Sequence, residues 1–302
     1  MTIRFDGQVA IVTGAGRGLG RSHALGLAAR GAKVAIVDHD PSRDGALSAA
    51  AEVSAEISAQ GGEAIALGAD VADLGAVQNM VDHVLARWGR IDILINNAGI
   101  LRDKTFAKMD LADFRLVLDV HVMGTVNCTK AVWDRMREQK YGRIVLTASS
   151  SGLYGNFGQS NYGTAKAAMV GLMNVLHLEG EKHDIRINIL APTAATRMTE
   201  GLFPQPVADL ATPESITPGV LFLVSEHAPS RVILCAGAGS FARTLITETT
   251  GVHFPEAERT PENIAAAFDR ISDPAGAVTL TTAFQQTDKL VALARDMVQV
   301  RP

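Results

Sequence analysis

Apolar positions along the first 240 residues fall into two alternating rhythms. Short runs rich in Val and Ile recur at V-A-I-V-T (9–13), K-V-A-I-V (33–37), E-A-I-A-L-G-A-D (63–70), I-D-I-L-I (91–95), R-I-V-L-T (143–147), R-I-N-I-L (186–190) and R-V-I-L-C (231–235). Such runs predict strands covered on both faces. Between them apolar residues repeat at helical spacing, as in Leu74, Val77, Met80, Val81, Val84, Leu85 and Trp88, and from Phe114 through His121 to Met136. Helices are also expected up to Arg30, from about Ser42 to Gln60, and from Tyr162 through Leu176. Each connection is long enough for a crossover, so the pattern predicts an α/β fold: one doubly wound parallel sheet of seven strands.

Two stretches break the rhythm. Residues 198–218 are rich in Pro, Thr and Gly and read as a mobile cover over a pocket. Residues 241–302 extend past the last strand, with a helix start at Thr260-Pro261-Glu262 and an amphipathic helix from Leu290 to Val300. We therefore expect a domain at 1–240 and a C-terminal extension at 241–302, packed on that domain or on a neighbouring subunit. The Tyr162 helix is apolar on more than one face (Val170 and Val175 as well as Met169 and Met173), which predicts contact with the sheet and with a second copy, as a homodimer or homotetramer.

Polar chemistry gathers where the predicted strands end. Gly14, Gly18 and Gly20 follow the first strand and open a helix, a context in which backbone N–H groups meet a pyrophosphate. Asp38 ends the second strand, where a carboxylate grips ribose hydroxyls and repels a 2′-phosphate; this favours NAD over NADP, although Arg17 and His39 could approach a phosphate. Asn97-Ala98-Gly99 follows the fourth strand. Tyr162 and Lys166 share one helix face. Free tyrosine titrates near ~10, so a phenolate at neutral pH needs about 4 kcal/mol of stabilisation, and a fixed cation supplies part of it. Ser149, across a glycine-rich loop, could donate to a carbonyl oxygen.

Composition narrows the function classes. The 302 residues are 47% hydrophobic, enough for a sizeable core, and the net charge of −4 gives no basic footprint for nucleic acid. The two cysteines, Cys128 and Cys235, sit in apolar contexts and form neither a disulfide framework nor a metal spacing, so no metal site is expected. The opening M-T-I-R-F-D-G-Q has no basic-then-apolar run, no stretch approaches about 18 apolar residues, and Q-V-R-P is not a peroxisomal address. The expectation is a soluble cytoplasmic protein with no membrane contact.

Taken together, T-G-A-G-R-G-L-G (13–20), N-N-A-G (96–99), Ser149 and Y-G-T-A-K (162–166) resemble the short-chain dehydrogenase/reductase family over about residues 1–240, which implies a single Rossmann-like domain. N-N-A-G-I-L-R-D (96–103), S-G-L-Y-G-N-F-G-Q-S-N-Y (151–162) and A-P-T-A-A-T-R-M-T (191–199) resemble more closely the (3R)-hydroxyacyl-CoA dehydrogenase part of peroxisomal multifunctional enzyme type 2 and its stand-alone bacterial relatives. The resemblance implies Tyr162 as general acid/base, Lys166 lowering its pKa and holding the nicotinamide ribose, and Ser149 polarising the substrate oxygen. It further implies Gly14, Gly18, Leu19 and Gly20 along the pyrophosphate, Asp70 and Val71 at adenine, Asn97, Ala98 and Gly99 on the adenosine side, and Pro192 and Thr196 at the carboxamide. Two departures stand out: His121 occupies the place of a usual Asn, either as a core residue or in a proton relay, and Thr196 comes one position early. The implied reaction is hydride transfer between NAD and a secondary alcohol, with an acyl-CoA small-molecule substrate. Arg102, Lys104 and Lys108 could meet a CoA phosphate. The alternatives are a steroid or other bulky alcohol, and a non-catalytic dinucleotide sensor.

Overall fold

The structure is a computed structural model that describes residues 2–39, 49–199, 201 and 203–299. The apolar runs form strands β1 (Val9–Thr13), β2 (Lys33–Asp38), β3 (Glu63–Gly68), β4 (Ile93–Asn96), β5 (Gly142–Thr147), β6 (Ile185–Thr193) and β7 (Ile233–Gly237), to which the chain adds β8 (Ser240–Thr244). Their order in one sheet is β3-β2-β1-β4-β5-β6-β7-β8, and every pair from β3 through β7 is parallel. The order reverses direction between β1 and β4, which register as Ala10 on Ile93 and Val12 on Ile95. A crevice opens at such a switch point, beyond the carboxyl ends of the strands.

The helices lie in two layers because both faces of the strands are apolar. One face buries Val9, Ile11, Ala35 and Val37 with α3 (Leu74–Trp88), α5 (Gly124–Gln139) and α7 (Ser160–Gly180). The alternate residues Ala10, Val12, Val34 and Ile36 pack on the other face with α1 (Gly18–Ala28), α2 (Ala49–Ala59) and α9 (Pro213–Leu223). Between β4 and α5 lies α4 (Leu111–Leu118), and α4 runs into α5 through a π-helical turn, Asp119–Met123. A short α6 (Ser150–Tyr154) follows β5, and α8 (Gln205–Leu210) precedes α9. Among the described residues no helix is long and apolar enough to cross a membrane.

The expectation of seven strands is corrected to eight. Ala238 and Gly239 both have positive φ (49° and 72°), the backbone of a two-residue hairpin turn, so β8 folds straight back on β7. A non-glycine residue in that conformation carries no strong sequence signal. Of the mobile cover expected at 198–218, the part from Pro213 is corrected to the start of a core helix. Thr212 accepts from the Ser215 N–H with its hydroxyl, Pro213 stands at the start of α9, and Ile216, Thr217 and Val220 are buried against the sheet and α1, with Pro218 tolerated inside the helix. Burial of an apolar face outweighs the one lost hydrogen bond. The helix read over 42–60 is seen at Ala49–Ala59, its earlier part lying outside the described residues.

The chain divides into two compact units, Met1–Arg243 and Thr244–Pro302. In the second, α10 (Pro261–Ala266) begins where Thr260 accepts from the Asn263 N–H, followed by α11 (Phe268–Ile271) and α12 (Ala283–Gln299). Glu248 and Val278 exchange backbone hydrogen bonds, and Lys289 pairs with Glu248 at 2.7 Å.

Two charges at the amino-terminal rim of the sheet, Asp92 and Arg143, are buried and paired. The Val9 N–H donates to Asp92, which also takes Arg90 at 2.7 Å. Arg143, 1% exposed, donates to the carbonyls of Gly142, Asp184 and Ser225 and to the Asp184 carboxylate at 3.0 Å, and its guanidinium stacks 4.1 Å from the Tyr141 ring centre. This rim is a structural clamp. Arg143→Ala leaves several buried acceptors without donors and should lower the unfolding free energy by about 3 kcal/mol, read as an earlier urea midpoint; an unchanged midpoint would show that the clamp contributes nothing.

Candidate active site

The opposite rim is built by a close backbone approach. β1 ends at Thr13, and Gly14 turns with φ 62° directly against Ala98; a Cβ there would lie 2.8 Å from the Ala98 Cα. Thr13 Oγ1 accepts from the N–H groups of Asn97 (3.0 Å) and Ala98 (3.1 Å), and Asn97 Nδ2 donates to the carbonyls of Thr13 (3.0 Å) and Gly14 (3.1 Å). The Asn97 amide is therefore used in bracing the two strand ends. Asp38 Oδ2 accepts from the Gly16 N–H at 2.7 Å, so one carboxylate oxygen holds the glycine turn; no donor among the described residues meets the other.

The first turn of α1, from Gly18 through Leu19 and Gly20, has neither a capping side chain nor an acidic residue, and Arg17 is exposed just before it. Its N–H groups and the positive end of the helix suit a phosphate. Thr196 lies beside this turn: a Cβ on Gly18 would be 3.5 Å from the Thr196 methyl, so the early threonine still reaches the glycine loop. Half-buried Pro192 is on β6. Thr199 Oγ1 accepts from the Thr196 N–H at 2.8 Å, and a cavity of about 500 Å³ opens beside this segment, lined in part by Arg197, Phe203 and Gln205. Exposed Asp70 turns back to accept from the Ala72 N–H, and the carbonyl of buried Val71 accepts from Asn127. These features provide a cradle that fits a dinucleotide. Among the described residues no cluster of His, Cys, Asp or Glu could hold a metal ion.

Ser149, Tyr162, Lys166 and His121 converge beside the cradle. Ser149 is extended backbone at the start of α6; its Oγ accepts from the Ser151 N–H, and its side chain opposes the upward shift of the Tyr162 phenol. Lys166, one turn along α7, is buried, donates to the Thr147 carbonyl at 2.6 Å, and has its nitrogen 5.6 Å from the centre of the Tyr162 ring. His121 projects from the π-helical turn, and its ring meets Tyr162 edge to face, centroids 5.3 Å apart. Gly99 makes room for it, since a Cβ would fall 2.3 Å from His121 Cε1. Of the five buried side-chain atoms without a partner among the described residues, three lie at this rim: Asn96 Oδ1, His121 Nδ1 and Thr147 Oγ1.

Burial dominates the protonation states. It holds the Tyr162 phenol above the usual tyrosine range, opposed by the Ser149 hydrogen bond and reinforced by the Asp103 charge. It pushes the Lys166 amine down to about 7. It also lowers His121 to about 3, assisted by the Lys166 charge, so the imidazole is neutral at ordinary pH. The expectation that Lys166 pulls the phenol down is not met by the protein alone: the amine sits near the ring, and burial raises the phenol by more than the neighbouring groups lower it.

Several contributors had no role of their own in the sequence. Thr13 and Asn161 stand inside motifs that carry the resemblance, Thr147 only ends a strand, and the structure shows Asn161 fully buried and bonded to the Arg102 carbonyl. Gln159 joins three segments: its Oε1 accepts from Ser151 and Asn156, and its Nε2 donates to Asp103. The signal for Gln159 is its place in the motif 151–162, among polar residues crowded next to Tyr162.

The family model for short chain dehydrogenases matches residues 8–206. A short-chain type dehydrogenase/reductase of Mycobacterium tuberculosis is 42% identical over 274 residues, covering 89% of this chain and 96% of its own. The solved peroxisomal multifunctional enzyme type 2 of Drosophila melanogaster superposes with a TM-score of 0.81 at 33% identity; the match covers 97% of this chain but only 50% of that enzyme. A 7α-hydroxysteroid dehydrogenase solved with NADH and 7-oxo glycochenodeoxycholic acid superposes with a TM-score of 0.71 at 30% identity, covering 78% of this chain and 95% of its own.

Gly14 gives a direct test of the strand-end junction. Gly14→Ala combines positive φ with a backbone clash and should lower unfolding free energy by about 2 kcal/mol. Its affinity for a reduced nicotinamide dinucleotide, followed by nucleotide fluorescence, should fall as well. Wild-type stability in this variant would mean that the close approach to Ala98 is not required.

Proposed function

The chain belongs to the short-chain dehydrogenase family and is an oxidoreductase acting at a CH–OH centre; we propose that it moves hydride reversibly between NAD and a secondary alcohol, with a (3R)-3-hydroxyacyl-CoA as the substrate class. The observation that carries this reading is the convergence of Ser149, Tyr162 and buried Lys166, its nitrogen 5.6 Å from the Tyr162 ring centre, at the edge of a phosphate cradle.

The first turn of α1 would take the pyrophosphate, the Asp38 carboxylate the adenosine ribose, Asp70 and Val71 the adenine, and Lys166 the nicotinamide ribose. NAD, when bound, supplies the hydride acceptor and a positive charge that favours phenolate. In alcohol oxidation Tyr162 Oη, as phenolate, takes the proton of the substrate hydroxyl. Ser149 donates to the substrate oxygen as it becomes a carbonyl, and in the reverse direction holds the developing oxyanion. Lys166 is fixed by the Thr147 carbonyl with its amine lowered to about 7, and in its protonated form it favours the phenolate together with the bound NAD. Neutral His121, its Nε2 within 3.0 Å of the Ile100 N–H and 2.8 Å of the Ile100 carbonyl, acts by holding the Tyr162 ring and not as an imidazolium relay.

Asp38 and the likeness to an NADH-bound dehydrogenase support NAD over NADP. The substrate class rests on the loop motifs and on a structural match that runs through the C-terminal extension, whereas the steroid dehydrogenase matches a smaller share of the chain. Exposed Arg102, Lys104 and Lys108 sit where a CoA phosphate would find cations. A homodimer or homotetramer formed through α7 is supported by exposed Val175 and Leu178 on that helix.

The test is NADH formation with 3-hydroxyacyl-CoA thioesters of both configurations, steroid alcohols and an NADP control. Oxidation should rise with pH, because a phenol held above its usual range must first lose its proton. Tyr162→Phe should lower kcat by on the order of 10⁴ while sparing NAD affinity. Substantial turnover by that variant would defeat the acid/base assignment, and preference for a steroid would replace the substrate class.

A further inference from the structure

Ser149 and Tyr162 stand on different elements, Ser149 just before α6 and Tyr162 in the first turn of α7, with exposed residues 154–157 between them. An exposed loop does not fix the separation of two side chains, so contacts across it must. Two glycines let α6 lie directly on α7. A Cβ on Gly152 would fall 2.6 Å from the Lys166 carbonyl carbon, and one on Gly163 would fall 3.2 Å from the Ser151 carbonyl oxygen. Such close packing sets a distance, and directional hydrogen bonds set the register along it.

Two buried amides supply those bonds. Asn161 Oδ1 accepts from the Tyr162 N–H at 2.7 Å, an amide of the first helical turn that has no acceptor within the helix. Asn161 Nδ2 donates to the Arg102 carbonyl at 2.9 Å, which anchors the start of α7 to the segment after β4. Gln159, 7% exposed and immediately before α7, carries that register across to α6: its Oε1 accepts from the Ser151 hydroxyl at 2.7 Å. The same amide accepts from Asn156 Nδ2 at 3.0 Å and donates to Asp103 Oδ2 at 2.7 Å. Ser151 is the point of transfer, because its N–H donates to Ser149 Oγ at 3.2 Å. A serine oxygen that accepts from a backbone amide keeps its own hydrogen free to donate elsewhere. The direction of the Ser149 hydroxyl therefore follows the Ser151 N–H. A bond that only closed the loop would be supplied by Asn156, whereas the Ser151 bond reaches the element that carries Ser149.

We propose that Gln159 is a positioning residue that acts through Ser151 to hold the Ser149 hydroxyl in register with Tyr162. This rests on the reading of Ser149 and Tyr162 as the groups that handle the substrate oxygen. Loss of the link slows the chemical step and spares dinucleotide binding, because the cradle is built from α1 and the ends of β1, β2 and β4, and Gln159 bonds to none of them.

The test uses the full chain with NAD and 3-hydroxybutyryl-CoA. Gln159→Met keeps the length and removes the amide; Ser151→Ala removes the hydroxyl and keeps the N–H. Each should lower kcat by on the order of tenfold, with affinity for a reduced nicotinamide dinucleotide near that of the wild type. The double variant should be no slower than either alone, since both break one link. Asn156→Ala, which removes a bond of the same amide outside α6, should stay near wild type. A crystal structure of Gln159→Met, or of Ser151→Ala if the first does not fold, should show Ser149 Oγ displaced from its place beside the Ser151 N–H. An unmoved Ser149, wild-type kcat in Ser151→Ala, or losses that add in the double variant would overturn the proposal. Turnover retained by Tyr162→Phe would instead defeat the acid/base reading, and the crystal structures would still report on Gln159.

Discussion

The contact on which the site depends is the approach of two backbones, the Gly14 turn after β1 and Ala98 after β4. It is possible only because Gly14 has no side chain, and it is locked by Thr13 and Asn97, which exchange hydrogen bonds across the gap. These strands flank the point where the sheet order reverses. Their ends therefore set the floor of the crevice and the direction in which α1 presents its open N–H groups. Asp38 on the next strand holds the same turn through Gly16. Residues that would touch a dinucleotide are thus also residues that hold the cradle in shape.

The two rims of the sheet are chemically opposite. At the amino-terminal rim, Asp92 and Arg143 are buried with each polar contact answered from the protein. At the carboxyl-terminal rim, buried polar atoms of Asn96, His121 and Thr147 have no partner among the described residues, and the first turn of α1 is uncapped. Buried polar groups left unpaired cost stability, so their concentration around one crevice marks where the fold gives up stability for ligand chemistry. The same burial keeps the site near neutrality: phenol up, amine down, imidazole uncharged. A charge arriving in such a place acts through little water and shifts these equilibria strongly.

Much of this was legible in the order of residues. Continuous apolar strands, helical stripes between them and glycines after the first strand are local patterns, and each formed the expected element. Errors came where tertiary burial overrode local composition. Residues 213–223 look like a turn-rich segment, yet they form a core helix because one face covers the sheet. The Ala238–Gly239 turn escaped notice because alanine gives no sign of positive φ.

By itself the sequence determined the alternation of strands and helices, the doubly wound class, the glycine turn, and the Tyr162–Lys166 pair on one helix face, since all follow from spacings within a few residues. Only the tertiary structure decided what those groups face. It set His121 edge-on to Tyr162, tied Lys166 to Thr147, and joined Asp103 to Gln159 across 56 residues of chain. It also decided protonation, because desolvation depends on the atoms that surround a group in space, and no run of neighbouring residues records them.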